Sequence, residues 1–250
     1  MSRSRPALLA LGALLACALA LLLLPTALRR PPPALHRAPP ANSSTVRRGT
    51  AAGTSPAVAY REATGLRAPG PGRLDVLLLH GQAFSSATWE ALGTLALLAG
   101  EGHRAVAIDL PGYGDSPPTG TVATQQGRVA FLERILEELG LERPVLVSPS
   151  MSGRFALPFL LLHGDRLGGF VPIAPVGTRD YTVGQYQRVQ TPTLILYGDR
   201  DTHLGPQALQ SLRHLPRHRV AVLPGAGHAC YLDKPGDFHR ALLGFLGQLQ

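Results

Sequence analysis

The sequence predicts an α/β fold in which a doubly wound, mostly parallel sheet is covered by helices on both sides. The first observation is a series of short apolar runs rich in Val, Leu and Ile. Their apolarity is continuous rather than alternating, which indicates strands buried on both faces. The second observation is that segments with helical spacing lie between these runs. Alternation of strand and helix favours parallel strands joined by right-handed crossovers.

Each predicted strand ends at turn-forming residues, and each predicted helix carries apolar residues at helical spacing. The strands are DVLLLH (75–80), RAVAIDL (104–110), PVLVS (144–148), FVPIAP (170–175), TLILYG (193–198) and RVAVLPG (219–225). The helical segments are ATWEALGTLALLAG (87–100), QGRVAFLERILEELG (126–140) and DFHRALLGFLGQL (237–249).

The N-terminal part of the chain differs from the rest. The run from Ala7 to Leu24 has no charge, and as a helix it would be roughly 27 Å long, enough to cross a bilayer core. It is longer than the apolar region of a cleaved signal peptide, about 7 to 15 residues. We therefore predict a signal-anchor transmembrane segment over 1–28, with a cleaved signal peptide as the alternative. Residues 29–56, rich in Pro and Arg, are predicted to be a disordered linker, and 57–250 the α/β domain.

Arginines flank the apolar run on both sides, so the positive-inside rule is nearly balanced. A single-pass membrane protein of type II orientation is favoured, and the prediction allows a cytoplasmic pool beside it. Asn42 begins an N-S-S sequon, a candidate glycosylation site if that side is lumenal. Residues 1–60 hold seven arginines and no acid, whereas the remainder holds 17 basic and 16 acidic residues. The domain is therefore nearly neutral, and no nucleic-acid partner is expected.

The polar loops that follow three predicted strands indicate where chemistry would occur. In open α/β sheets, sites form beyond the carboxyl ends of the strands. Three such loops contain SPSMSG, GDRD and GAGH, which supply a serine, an aspartate and a histidine. These are the parts of a nucleophile, an orienting acid and a base. The sequence has no metal-binding motif, P-loop or dinucleotide fingerprint, so neither a metal nor a prosthetic group is expected.

Several motifs resemble those of a known superfamily. SPSMSG stands where α/β-hydrolases have the G-x-S-x-G elbow, and the Ser…Asp…His order is also theirs. Three segments are similar to loops of that superfamily, namely DLPGYGDS, YGDRD and GAGHACYLDKP. Five segments more closely resemble the alpha/beta hydrolase domain-containing protein 14 family: VLVSPSMSG, LPFLL, GFVPIAP, TPTLILYGD and AGHACYL. The N-terminal anchor resembles the membrane-bound A form of that family. The resemblance covers 57–250 and implies an α/β-hydrolase fold. Because only residues 176–192 separate two of the strands, the cap is expected to be minimal.

The choice of nucleophile among three serines follows from side-chain size. Positions two before and two after the nucleophile of such an elbow are crowded, and only small side chains fit there. For Ser150 these positions hold Ser148 and Ser152. For Ser148 one of them would be Leu146, and for Ser152 one would be Arg154. Ser150 is therefore the predicted nucleophile.

The base and the acid follow from other loops. His228, in GAGH directly after a strand, is the predicted general base. The GDRD loop offers two acids, and the resemblance favours Asp201 over Asp199, which we interpret as a turn former. Asp109 follows another strand, and we interpret it as a structural residue that caps its loop.

The oxyanion hole of such an enzyme needs two backbone N–H donors. Met151, directly after the nucleophile, is one predicted donor. The second is expected from the loop after strand 75–80, at Gln82 or at Ala83, where Gly81 allows the backbone to approach closely.

The resemblance implies a serine hydrolase or acyl transferase that forms an acyl-enzyme. A soluble relative in the family is associated with removing acetyl groups from lysine and passing them to coenzyme A. The expected partner is a small acylated molecule or an acylated protein, with coenzyme A as an acyl acceptor. The elbow does not distinguish ester, thioester and amide. The alternative is a membrane-tethered, non-catalytic adaptor with the same fold.

Overall fold

The structure is a computed structural model and describes residues 45–54, 56–65 and 72–249. The predicted membrane segment 1–28, the linker up to residue 44 and Asn42 lie outside the described residues. Within the part of the chain that is described, no helix is long and apolar enough to cross a bilayer.

A mixed, mostly parallel sheet forms the centre of the domain. The strands are β1 (Arg47–Ala51), β2 (Val58–Thr64), β3 (Asp75–Leu78), β4 (Arg104–Ile108), β5 (Val145–Pro149), β6 (Gly169–Ile173), β7 (Thr193–Gly198) and β8 (His218–Leu223). Across the described residues the sheet order is β1-β2-β4-β3-β5-β6-β7-β8. The β1–β2 and β2–β4 pairs are antiparallel, and the other pairs are parallel.

Helices cover both faces of this sheet. They are α1 (Ser86–Ala91), α2 (Thr94–Gly100), α3 (Gln125–Glu138), α4 (Gly153–His163), α5 (Val183–Gln187), α6 (Leu204–Leu212), α7 (Cys230–Asp233) and α8 (Pro235–Leu246). The buried side chains of α3, α4 and α6 form one apolar cluster with residues such as Leu77 and Leu146. Those of α1, α2 and α8 form a second cluster with Val76 and Val145 on the opposite face. Successive strand residues therefore enter different cores, which explains the continuous apolar runs.

The position of β1 corrects the predicted linker. This strand lies inside the range 29–56 and pairs with β2, with Arg47 opposite Glu62. Only Ala51 of its five residues is buried. A short polar edge strand has no apolar run that would distinguish it from a linker, so the ordered sheet begins ahead of the predicted boundary at residue 57.

The segment 87–100, predicted to be one helical stretch, forms two helices. Gly93, between α1 and α2, has a φ of 77°, a left-handed conformation that glycine adopts at little cost. The chain turns there, and Trp89 and Leu95 both reach the same buried cluster.

The strand order determines where a site can form. β4 lies beside β3 on one side, and β5, the next strand along the chain, lies beside β3 on its other side. Such a switch point opens a crevice at the carboxyl ends of the two neighbouring strands. The connection from β6 to β7 contains only a 3₁₀ turn (Thr178–Asp180) and the short helix α5, so it builds no separate lid over this crevice.

Candidate active site

Ser150 lies at the sharp turn between β5 and α4. Its φ is 49°, in the left-handed region that costs an L-residue about 1–2 kcal/mol. Pro149 before it is extended, with φ −87° and ψ 140°. A 3₁₀ turn from Ser150 to Ser152 leads directly into α4. A strained, non-glycine residue between a strand and a helix is the geometry of a nucleophile elbow.

The two flanking serines hold this elbow together. Ser148 and Ser152 are fully buried, and their Oγ atoms lie 3.0 Å apart. Ser152 Oγ donates to the carbonyl oxygen of Pro149 at 2.8 Å. Because the hydroxyl proton of Ser152 is used there, Ser148 donates to Ser152. The flanking positions therefore hold residues that are small and also hydrogen-bonded across the turn.

Three side chains from distant loops form a continuous hydrogen-bonded chain. His228, in the loop after β8, has its Nε2 atom 2.8 Å from Ser150 Oγ. Its Nδ1 atom lies 2.7 Å from Asp201 Oδ2. Asp201, in the loop after β7, accepts two further hydrogen bonds on Oδ1, from the backbone N–H groups of His203 and Leu204, each at 3.1 Å.

The charge of Asp201 fixes the proton positions in this chain. Burial alone raises the pKa of the Asp201 carboxyl, but the hydrogen bonds from His228 and from the backbone of His203 and Leu204 outweigh it. The pKa of Asp201 is therefore below its ordinary value, and the group is anionic at neutral pH. An anionic Asp201 accepts the Nδ1 proton of neutral His228, so Nε2 is free to accept the hydroxyl proton of Ser150.

The loop after β3 approaches Ser150 from the neighbouring strand. Gly81 lies so close that a Cβ built on it would be 3.8 Å from Ser150 Cβ. The next residue is Gln82, and Met151 follows Ser150 directly. The two predicted oxyanion donors thus belong to loops that leave adjacent parallel strands.

His80 is a residue of this site to which the sequence assigned no role. Its Nε2 atom accepts the Leu110 N–H at 3.0 Å, so the proton is on Nδ1, which donates to the Gly81 carbonyl at 2.8 Å. The Gly81 carbonyl and the Gln82 N–H belong to one planar peptide unit. His80 therefore fixes the direction of the Gln82 N–H. Burial lowers the pKa of His80, against the opposing effects of the Gly81 bond and Asp109.

The two other candidate acids hold loops in place. The Asp109 carboxylate accepts backbone N–H bonds from Ser86 at 2.7 Å and from Asp115 at 2.9 Å, which confirms its structural interpretation. Asp199 Oδ1 accepts the Gly225 N–H at 2.7 Å, so it ties the loop after β7 to the loop that carries His228.

The sheet, the elbow and the hydrogen-bonded Ser–His–Asp chain define an α/β-hydrolase. Residues 76–184 match the family model described as alpha/beta hydrolase fold. The chain is 51% identical over 249 residues to Protein ABHD14A from Homo sapiens, covering 100% of this chain and 89% of that protein. The chain belongs to the ABHD14 family.

Two further comparisons give a second relative from this family and a solved structure with the same fold. ABHD14B from Homo sapiens, provisionally named a protein-lysine deacylase, is 47% identical over 212 residues, covering 84% of this chain and all of that protein. The crystal structure of a CIB-like hydrolase from Thermoplasma acidophilum superposes with a TM-score of 0.73 at 22% identity, covering 82% of this chain and 100% of that one. The last likeness shows the fold alone.

Proposed function

We propose that this protein is a serine hydrolase or acyl transferase that forms an acyl-enzyme on Ser150. The observation that carries the proposal is the pair of short contacts from His228, 2.8 Å to Ser150 Oγ and 2.7 Å to Asp201 Oδ2. A serine hydroxyl is a weak nucleophile until a neighbouring base removes its proton, and this arrangement supplies the base and its orienting acid.

In the proposed reaction, His228 Nε2 takes the Ser150 proton as Oγ attacks the acyl carbon. The N–H groups of Gln82 and Met151 stabilise the negative oxygen that develops. His228 then gives its proton to the leaving alcohol, thiol or amine, and Asp201 stabilises the imidazolium in between. A water molecule, or another acceptor such as coenzyme A, attacks the acyl-enzyme by the reverse sequence of proton transfers.

The substrate class follows from a relative and from the short β6–β7 connection. A relative at 47% identity bears the provisional name of a protein-lysine deacylase, which favours an acylated lysine on a protein, with esters and thioesters as alternatives. The short β6–β7 connection supports this choice, because a site without a lid domain can admit an acyl group that is attached to a large partner.

Labelling by a fluorophosphonate probe tests the nucleophile. Ser150→Ala is expected to lose the label and to lose turnover by a factor on the order of 10⁶, as in a comparable triad. Ser211→Ala is the matched control, because Ser211 lies on α6 and takes no part in the triad or in the contact between Ser148 and Ser152. Equal labelling of wild type and Ser150→Ala would remove the proposed mechanism. A folded wild type that takes no label would favour the adaptor alternative.

A further inference from the structure

A cleft of about 420 Å³ adjoins the nucleophile elbow. It lies between the first turns of α3 and α4 and the connection from β6 to α5. Gly153, the first residue of α4, lines it together with Val176. The N–H of Val176 donates to the carbonyl of Ser150 at 3.0 Å. One residue of the cleft wall is therefore hydrogen-bonded to the backbone of the predicted nucleophile.

Arg128 lines this cleft and carries an unpaired donor. Its Nη1 donates to the carbonyl oxygens of Val122 and Ala123, at 3.1 and 3.2 Å, which fixes the position of the guanidinium. Its Nε–H is buried and has no hydrogen-bond partner. Such groups are rare in folded proteins, because an unpaired buried donor is costly. Within the described residues, the other buried side-chain atom of this kind is Oγ1 of Thr178, next to Gly177 in the cleft wall.

The charges around the cleft favour an anion. Arg154, on the first turn of α4, lines it with a second guanidinium, and Asp180 contributes one carboxylate. Neither side chain forms an ion pair within the residues that the structure describes. Burial, reinforced by Asp180, raises the pKa of the Tyr181 hydroxyl, which therefore stays protonated and can donate. The cleft is therefore lined by two guanidinium groups, one neutral hydroxyl and one carboxylate, so positive charge is in excess.

We propose that this cleft binds a negatively charged group of the substrate, a carboxylate or a phosphate, while the acyl bond lies at Ser150. The inference rests on the proposed function and adds a substrate class to it. A guanidinium that backbone carbonyls already hold in place can form paired hydrogen bonds with the oxygens of a carboxylate or phosphate. The side chain then loses little conformational freedom when the anion binds. The anion can belong to the acyl part, as in a half-ester of a dicarboxylic acid, or to the leaving group.

Matched substrates test the inference. The acetyl ester and the hemisuccinyl ester of one alcohol differ in an acyl-borne carboxylate, and the acetyl ester of a phosphorylated analogue moves the charge to the leaving group. We expect the ratio of kcat/KM for an anionic over the neutral substrate to fall roughly tenfold in Arg128→Gln and in Arg154→Gln. The ratio should rise in Asp180→Asn, because an opposing charge is removed. A folding defect would not give opposite signs.

Arg188→Gln is the control, since Arg188 lies at the end of α5 and does not line the cleft. Its ratio should equal that of wild type. Whichever anionic ester is preferred identifies the part of the substrate that carries the charge. Ratios that are equal in wild type and in all three cleft variants would overturn the inference.

A binding measurement separates this inference from the proposed chemistry. Succinate and inorganic phosphate, added to the full chain, should raise the Tm of wild type by mass action, and Arg128→Gln should abolish the rise. No rise in wild type, or an equal rise in the variant, would mean that water alone occupies the cleft. A rise that depends on Arg128 in a protein that takes no fluorophosphonate label would contradict the acyl-enzyme and leave the anion site standing.

Discussion

At the proposed nucleophile, Ser150, a single backbone angle determines what the side chain can reach. The φ of 49° at Ser150 turns the hydroxyl out of the strand and toward His228. The strain at this residue is maintained by the hydrogen bonds of Ser148 and Ser152 on either side of it. Strain that the surrounding structure enforces is typical of a functional position.

Asp201 and Asp199 can be distinguished by mutation. Asp201→Asn is expected to lower kcat by about 10⁴, because an amide at that position favours the wrong tautomer of the histidine. Asp199→Asn should leave kcat near the wild-type value, since the Asn carbonyl can still accept the Gly225 N–H. Steady-state kinetics on an activated ester would measure both. The assignment would be wrong if Asp199→Asn were the more damaging change.

The sequence predicts some of these residues better than others. Ser150 follows from the sizes of its neighbours, and His228 from its place after a strand. Size does not separate the two acids of GDRD. The resemblance favours Asp201, and the contact between Asp201 and His228 Nδ1 agrees with that choice. His80 was missed because its role depends on the Leu110 N–H, which a different strand brings to it.

The elbow acts as one element, and its stability can be measured. Ser152→Ala removes the donor to the Pro149 carbonyl and the acceptor for Ser148, leaving buried polar groups unpaired. We expect the free energy of unfolding to fall by about 1–3 kcal/mol, measured by urea denaturation. Ser150→Ala is the control, because its hydroxyl bonds only the half-exposed His228 and its loss should change the free energy of unfolding far less. Similar losses in both variants would contradict a clamp between Ser148 and Ser152.

Among the strands, those with a continuous apolar run are predictable and the mixed ones are not. Each apolar run from 75–80 to 219–225 corresponds to a strand from β3 to β8. For β3 to β7 the run reflects burial on both faces, whereas β8 is an edge strand in which Val220 and Val222 are exposed. β2 reads VAYREAT, with buried and exposed residues mixed, and β1 reads RRGTA with four unburied residues. Their pairing is determined by long-range register, which a single sequence does not display.

Two buried histidines and one partly buried histidine make the stability of the whole domain dependent on pH. Burial lowers the pKa of His80, His103 and His239, whereas in the unfolded chain a histidine titrates near 6.5. Above about pH 6.5 both states are neutral and the full stability is present. As the pH falls below that value, the unfolded chain binds protons that the folded domain does not, so stability is lost. Asp75 has the opposite effect on the pH dependence, because burial raises its pKa. It is a single group, whereas three histidines act in the other direction.

Urea unfolding at pH 7.5 and pH 5.5 would measure this loss. His239→Gln is the matched variant, because glutamine can still bond Thr94 Oγ1, which lies 2.9 Å from His239 Nε2, yet does not titrate. The drop in unfolding free energy between the two pH values should be smaller in this variant. An identical drop, or none in wild type, would show that these imidazoles do not control the acid limit.

Because the connection between β6 and β7 builds no lid, it affects which acceptor would take the acyl group in the proposed reaction. His228 keeps 41% of its side chain exposed, so bulk solvent reaches the imidazole that would activate the second nucleophile. If Ser150 forms the proposed acyl-enzyme, water at its full concentration would compete with every other acceptor for it. Acyl transfer to a second molecule would then prevail only when that molecule is already bound as the first product leaves, so acceptor occupancy would govern the partition between hydrolysis and transfer.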